Sequence, residues 1–182
     1  MASFFNMDEL ENDKVNIKRL DVLCSLLPIL LKDKSKWSSL NICKFEPIVH
    51  RLFLPVDDCT LILHRIFPCN SNEPLMHSHS WPFAVRIIEG GYQMTMGFSY
   101  SRDIPPLPVY KTFVNPDDTY EITSPYVWHT TDVNINECSY SIMLIGPRWR
   151  ERYAQNNDPL CQQDFDHVYN YFLKWSNDNY HY

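Results

Sequence analysis

The chain has 182 residues, of which 45% are hydrophobic and 14% aromatic, and a formal net charge of −6. That length and apolar content suit one packed domain and exclude a disordered chain. The acidic balance, with no basic run, argues against sequence-independent nucleic-acid binding, and six scattered cysteines without a Cys-x-x-Cys pair exclude a zinc-finger spacing.

Met1 to Glu9 lacks the basic region and cleavage site of a signal peptide. Leu23 to Leu31 is apolar but too short to cross a bilayer, and Pro28 interrupts it. The expectation is a cytoplasmic protein with reduced thiols and no membrane partner. Residues 8–40 read as a helical N-terminal region with apolar positions at Val15, Ile17, Leu20, Leu23, Leu27 and Leu30, broken or restarted at Pro28. Its expected job is to cover one face or end of a β core. Lys32 to Ser39 reads as a polar loop holding Trp37.

A β core is expected over 41–147, from short apolar runs separated by turn residues. The runs are 51–54, 59–67, His77 onward through Glu89, 92–98, 110–114, 119–123 and 139–145. Gly90-Gly91 reads as a hairpin turn, 102–108 as an irregular connection, and Asn115-Pro116-Asp117-Asp118 as a turn. Short strands at this spacing suggest an all-β sandwich or barrel. Asp158 and Pro159 read as the N-cap and first turn of a C-terminal helix over 158–175. Its apolar stripe is Leu160, Phe165, Val168, Tyr169, Phe172 and Leu173, and Asn177 to Tyr182 is expected to be loose. The whole of 1–182 is expected to be a single domain.

His77 and His79 carry the chemistry. Two residues apart on a strand, they share a face, because side chains alternate with period 2. His129 sits in a similar strand-like setting. Imidazole is the commonest metal ligand, and three converging on one point make an open site, so His77, His79 and His129 are the expected metal ligands. Neighbouring candidates are Arg65, Arg86, Tyr92, Tyr140 and Trp81. Arg65 shares a face with Leu61, Leu63 and Phe67, and an inward arginine there can grip a carboxylate. Arg65 and Tyr140 are the catalytic candidates. Parity puts Arg86 on the face opposite the histidines, in a salt bridge outside the core, and gives His64 the face opposite Arg65 with only a local hydrogen bond. His50, His167 and His181 show no partner pattern.

The order His77-x-His79, Gly90-Gly91, Pro125, His129 resembles the cupin superfamily. The text Leu63-His64-Arg65, His77-x-His79-x-Trp81-x-Phe83 and Gly90-Gly91-Tyr92 looks like a group of bacterial and phage cupin-like proteins, over roughly Cys59 to Pro147. The resemblance implies a mainly β double-stranded β-helix, or jelly roll, with the helical N-terminal region and the C-terminal helix added. Two departures stand out. The Glu of the first cupin motif would fall at Phe83 or Ala84, and Val127 stands where a Gly is usual. Phe83 has the parity of His77 and His79, whereas Glu89, of the same parity, lies at the turn and out of reach unless the strand bulges.

With no carboxylate, the three-histidine set resembles the thiol dioxygenases within the superfamily. The implied cofactor is a divalent metal, first Fe(II), with Zn(II), Mn(II) or Ni(II) as alternatives. The implied partner is a small-molecule ligand, and a homodimer follows because such proteins often dimerise. Three functions compete: a non-haem iron dioxygenase acting on a small anionic or thiol substrate, a non-catalytic small-ligand-binding module without a functional metal, and a sugar isomerase or epimerase. The last ranks lowest, for want of a carboxylate ligand or a His–Asp pair.

Overall fold

The computed structural model describes residues 17–69, 74–101, 103–134, 136–149 and 157–180. The chain enters through α1 (Ile17–Ser25) and α2 (Leu27–Leu30), and Pro28 sits in the first turn of α2. Its missing N–H costs no helical hydrogen bond there. Positions 8–16 of the expected helical region, Val15 among them, lie outside the described residues. After a 3-10 turn over Lys34–Lys36, the buried Trp37 donates its indole N–H to the Leu30 carbonyl at 3.2 Å.

Among the described residues eleven strands follow: β1 (Ser38–Ile42), β2 (Val49–Val56), β3 (Cys59–Ile66), β4 (His77–Ser78), β5 (Phe83–Glu89), β6 (Tyr92–Phe98), β7 (Tyr110–Val114), β8 (Thr119–Ile122), β9 (Val127–His129), β10 (Asp132–Val133) and β11 (Ser139–Ile145). They form two antiparallel sheets. The larger runs β1-β2-β3-β11-β5-β8, the smaller β10-β6-β9-β4, and β7 lies on the other edge of β6. From β3 onward the chain passes repeatedly from one sheet to the other. This is the mainly β, jelly-roll architecture expected from the sequence.

Three local expectations are corrected by that alternation. The run from His77 to Glu89 is two strands, not one: β4 belongs to the smaller sheet and β5 to the larger, with 79–82 crossing between them. Gly90-Gly91 is not a hairpin turn, because β5 and β6 lie in different sheets; it turns the chain across the sandwich with φ of +76° and +135°. A Cβ on Gly90 would stand 2.5 Å from the Cys138 carbonyl oxygen, so glycine is needed for space as well as for its backbone. The C-terminal helix, α3, spans Gln162–Asn179 rather than 158–175. Asp158 is not its N-cap. The Asp158 carbonyl accepts from the Asn41 N–H at 2.8 Å, and the Leu160 N–H donates to Ser39 Oγ at 3.1 Å, so this segment runs along β1 before the helix begins.

The larger sheet is covered on both faces. Its outer face packs Leu52, Leu61, Leu63, Ala84, Ile142 and Leu144 against Leu20, Leu23 and Leu27 of the first helices and Val168 and Phe172 of α3. Its inner face packs Ile62, Ile66, Phe83, Val85, Ile87 and Met143 against Tyr92, Met94, Val114 and Val133 of the smaller sheet. Arg86 lies on the outer face, its guanidinium 2.9 Å from Asp21 Oδ1 of α1, which is the salt bridge that parity placed there. Among the described residues no helix is long and apolar enough to cross a membrane, and all six cysteines are free thiols.

Candidate metal centre

Pairing of β4 with β9 sets His77 directly opposite His129. The chain leaves β4 at His79 to cross the sandwich, and this brings the third imidazole over the same point. Ligand atoms of the three lie within 4.8 Å of one another. His79 Nε2 and His129 Nε2 are 2.9 Å apart, and the ring centroids of His77 lie 5.0 Å and 4.7 Å from those of His79 and His129. Two imidazole nitrogens bound at a right angle to one ion, each ~2.1 Å away, stand about 3.0 Å apart, so the observed spacing fits shared coordination. His77 Nδ1 lies 3.0 Å from the Leu75 carbonyl and must carry the proton, leaving Nε2 as the available ligand atom. Burial, and secondarily the neighbouring His77, holds His129 well below the ordinary imidazole range, so it stays neutral as a ligand must.

Phe83 fills the place where the superfamily motif would put a carboxylate. Its ring is 4.4 Å from that of His79 and 5.8 Å from that of His129. Glu89 is carried away by an irregularity opposite Tyr140 and Ser141, where Tyr140 pairs with Glu89 but Ser141 with Ile87. The extra residue turns Glu89 to the outer side, where Tyr171 Oη donates to it at 2.5 Å. No Asp or Glu joins the histidine group among the described residues.

The imidazoles line a cavity of about 450 Å³ between the sheets, together with Trp81, Phe83, Arg51, His64, Tyr92, Tyr120 and Arg148. Arg148 lies over the Trp81 ring, 5.6 Å from its centroid. Arg51 Nε donates to His64 Nε2 at 2.9 Å, which leaves the His64 proton on Nδ1, 3.4 Å from Ser141 Oγ. Burial, then the Arg51 charge, holds His64 well below its ordinary pKa. The Tyr92 and Tyr120 hydroxyls are 2.5 Å apart; burial raises both pKa values, that of Tyr120 to about 12.

Arg65 and Tyr140 are direct cross-strand partners, yet neither lines the cavity. Arg65 lies over the Phe67 ring at 4.5 Å. The Tyr140 ring stacks on Tyr171 at 3.8 Å, and its hydroxyl lies 3.1 Å from His167 Nε2. Both occupy the helix-covered face. The expected alternation of β3 holds, but the face taken as inward is corrected: Ile62, His64 and Ile66 face the other sheet, and Leu61, Leu63 and Arg65 face the helices. Arg51, Tyr120, Ser141 and Arg148 were not singled out from the sequence. Arg51 is the cross-strand partner of His64, so the right choice of inward face for β3 would have revealed it.

No family model and no curated protein sequence matches the chain. Among solved structures it is similar to hydroxypropylphosphonic acid epoxidase from S. wedmorenis, with 10% identity and a TM-score of 0.48 over 63% of this chain and 57% of that one. It is also similar to an oxalate decarboxylase variant from Bacillus subtilis, with 12% identity and a TM-score of 0.44 over 62% and 28%. A Bacillus halodurans protein matches at 17% identity and a TM-score of 0.41 over 60% and 75%. The chain thus spans little more than half of the epoxidase. Likenesses this distant carry no functional weight.

Proposed function

We propose that the chain is a mononuclear metal enzyme, an Fe(II)-dependent dioxygenase of a small anionic or thiol substrate, with His77, His79 and His129 as the metal ligands. The observation that supports this reading is the convergence of three imidazoles, without a carboxylate, on the wall of a 450 Å³ cavity. Neutral ligands leave the charge of a divalent ion uncompensated, which favours an anionic substrate. When bound, such an ion supplies Lewis-acid polarisation and, as Fe(II), electrons for oxygen chemistry. The chain's own residues do the rest: Arg51 and Arg148 add positive charge to the cavity, and Trp81 and Phe83 shield the imidazoles from water. Tyr92 and Tyr120 keep their protons at neutral pH, and since one proton is shared within the pair, the other hydroxyl can donate to a bound oxygen atom.

Oxygen uptake by Fe(II)-loaded protein with a panel of small thiols and β-diketones, abolished in His79→Ala, is the expected result. No uptake by protein shown to hold iron would count against the reading. Phe83 in the motif's carboxylate position favours a second reading, a metal-free binding module, and calorimetric titration with divalent metals separates the two.

A further inference from the structure

We infer that the substrate is amphipathic: its reacting group lies at the three histidines, and an apolar chain of about four to six carbons runs along Leu40, Ile42 and Val49 to Phe45 and Leu75. This inference rests on the metal-enzyme reading for the reacting group and adds the class of what is attached to it.

Leu40 and Ile42 on β1 and Val49 on β2 line the same cavity as His77, His79 and His129. They share one face of the sheet, because Ile42 pairs with Val49 and period-2 alternation turns Leu40 the same way as Ile42. Both Leu40 and Ile42 are half-buried, yet among the described residues they pack into neither hydrophobic core. The sheet thus leaves an apolar wall facing open space, and covering it with apolar ligand surface is favourable. That wall leads to the rim. Phe45 and Leu75 line the cavity while 55% and 42% exposed, so they stand at its mouth. The Leu75 N–H donates to the Glu46 carbonyl at 3.4 Å, which joins the two loops that carry them. The Leu75 carbonyl in turn lies 3.0 Å from His77 Nδ1, so the apolar rim is tied to the histidine group and one ligand can touch both. Size agrees with this. At ~30 Å³ for each water-sized group, a thiol of five heavy atoms fills only about a third of the 450 Å³ present. The apolar chain takes up the remainder.

The test uses full-length protein loaded with Co(II), whose thiolate absorption band reports ligand binding without turnover. The probes are the uncharged series ethanethiol, butane-1-thiol and hexane-1-thiol. In the wild type each added methylene tightens binding about threefold, so hexane-1-thiol binds at least ~30-fold tighter than ethanethiol. Two variants read the wall separately from the rim. Phe45→Ser/Leu75→Ser strips apolar surface from the mouth, and Val49→Phe fills the wall from within. Each brings hexane-1-thiol within about threefold of butane-1-thiol. A flat series in the wild type, or a gradient that survives in both variants, would overturn the inference. Failure to take up cobalt would refute the metal reading alone. Calorimetry of hexane-1-thiol with the metal-free protein then decides the apolar site: heat lost in Val49→Phe supports it, and equal or absent heats overturn it.

Discussion

Replacing Tyr120 with phenylalanine removes one member of the buried hydroxyl pair, and its effect on stability depends on pH with a definite sign. In the folded chain burial raises the Tyr120 pKa from 10 to about 12. A group whose folded pKa lies above its unfolded value contributes stability that is complete below pH 10 and lost as pH rises through 12. Two units correspond to roughly 2–3 kcal/mol. At pH 7 the substitution has a different cost, because the Tyr92 hydroxyl 2.5 Å away is left buried without its partner. An unpaired buried hydroxyl costs about 1–3 kcal/mol. Urea unfolding of both proteins between pH 7 and pH 12 reads the two effects together. The variant should start about 1–3 kcal/mol less stable, and the gap should close or reverse by pH 12, because only the wild type loses the Tyr120 contribution. Parallel stability curves across that range would refute the reasoning.

Phe83→Glu introduces a carboxylate beside the His79 ring, so the variant should be destabilised without metal yet gain more in melting temperature than the wild type when Mn(II) or Fe(II) is added; equal metal-induced shifts would contradict it. Gly97→Ala places a Cβ 2.7 Å from the Leu107 carbonyl oxygen and 2.7 Å from Pro106 Cγ, and should cost about 1–3 kcal/mol in chemical denaturation. Arg86→Ala breaks the 2.9 Å contact with Asp21 that ties α1 to β5; with both partners partly exposed, the loss should be no more than about 1 kcal/mol and should shrink in 1 M salt.

Much of the fold was legible because strand-length apolar runs and turn residues survive in the sequence as local signals. The partition of those strands between two sheets was not. Gly90-Gly91 has a hairpin's composition, but a sheet-to-sheet crossing at the same place needs the same positive φ, so composition alone does not separate them. Which face of β3 turns to the cavity was illegible for a related reason. With helices on one side of the larger sheet and the smaller sheet on the other, Leu61 and Leu63 are as buried as Ile62. Alternation then offers two equally apolar faces. The choice between Arg65 and His64 as the cavity-facing residue hangs on that ambiguity. The three histidines do come together in space, although the strand thought to carry His77 and His79 ends at Ser78. The Asp158-Pro159 pair looks like a helix start, but its backbone is taken up by β1.

The central claim is that His77, His79 and His129 hold a metal ion. It is tested most directly by elemental analysis of untagged protein, purified as expressed and after anaerobic reconstitution with Fe(II), Mn(II), Zn(II) or Ni(II), beside the His77→Ala/His79→Ala double variant. Near-stoichiometric metal in the wild type, lost in a variant that still folds, is the predicted result. A wild type that takes up no metal under any of these conditions would contradict the account.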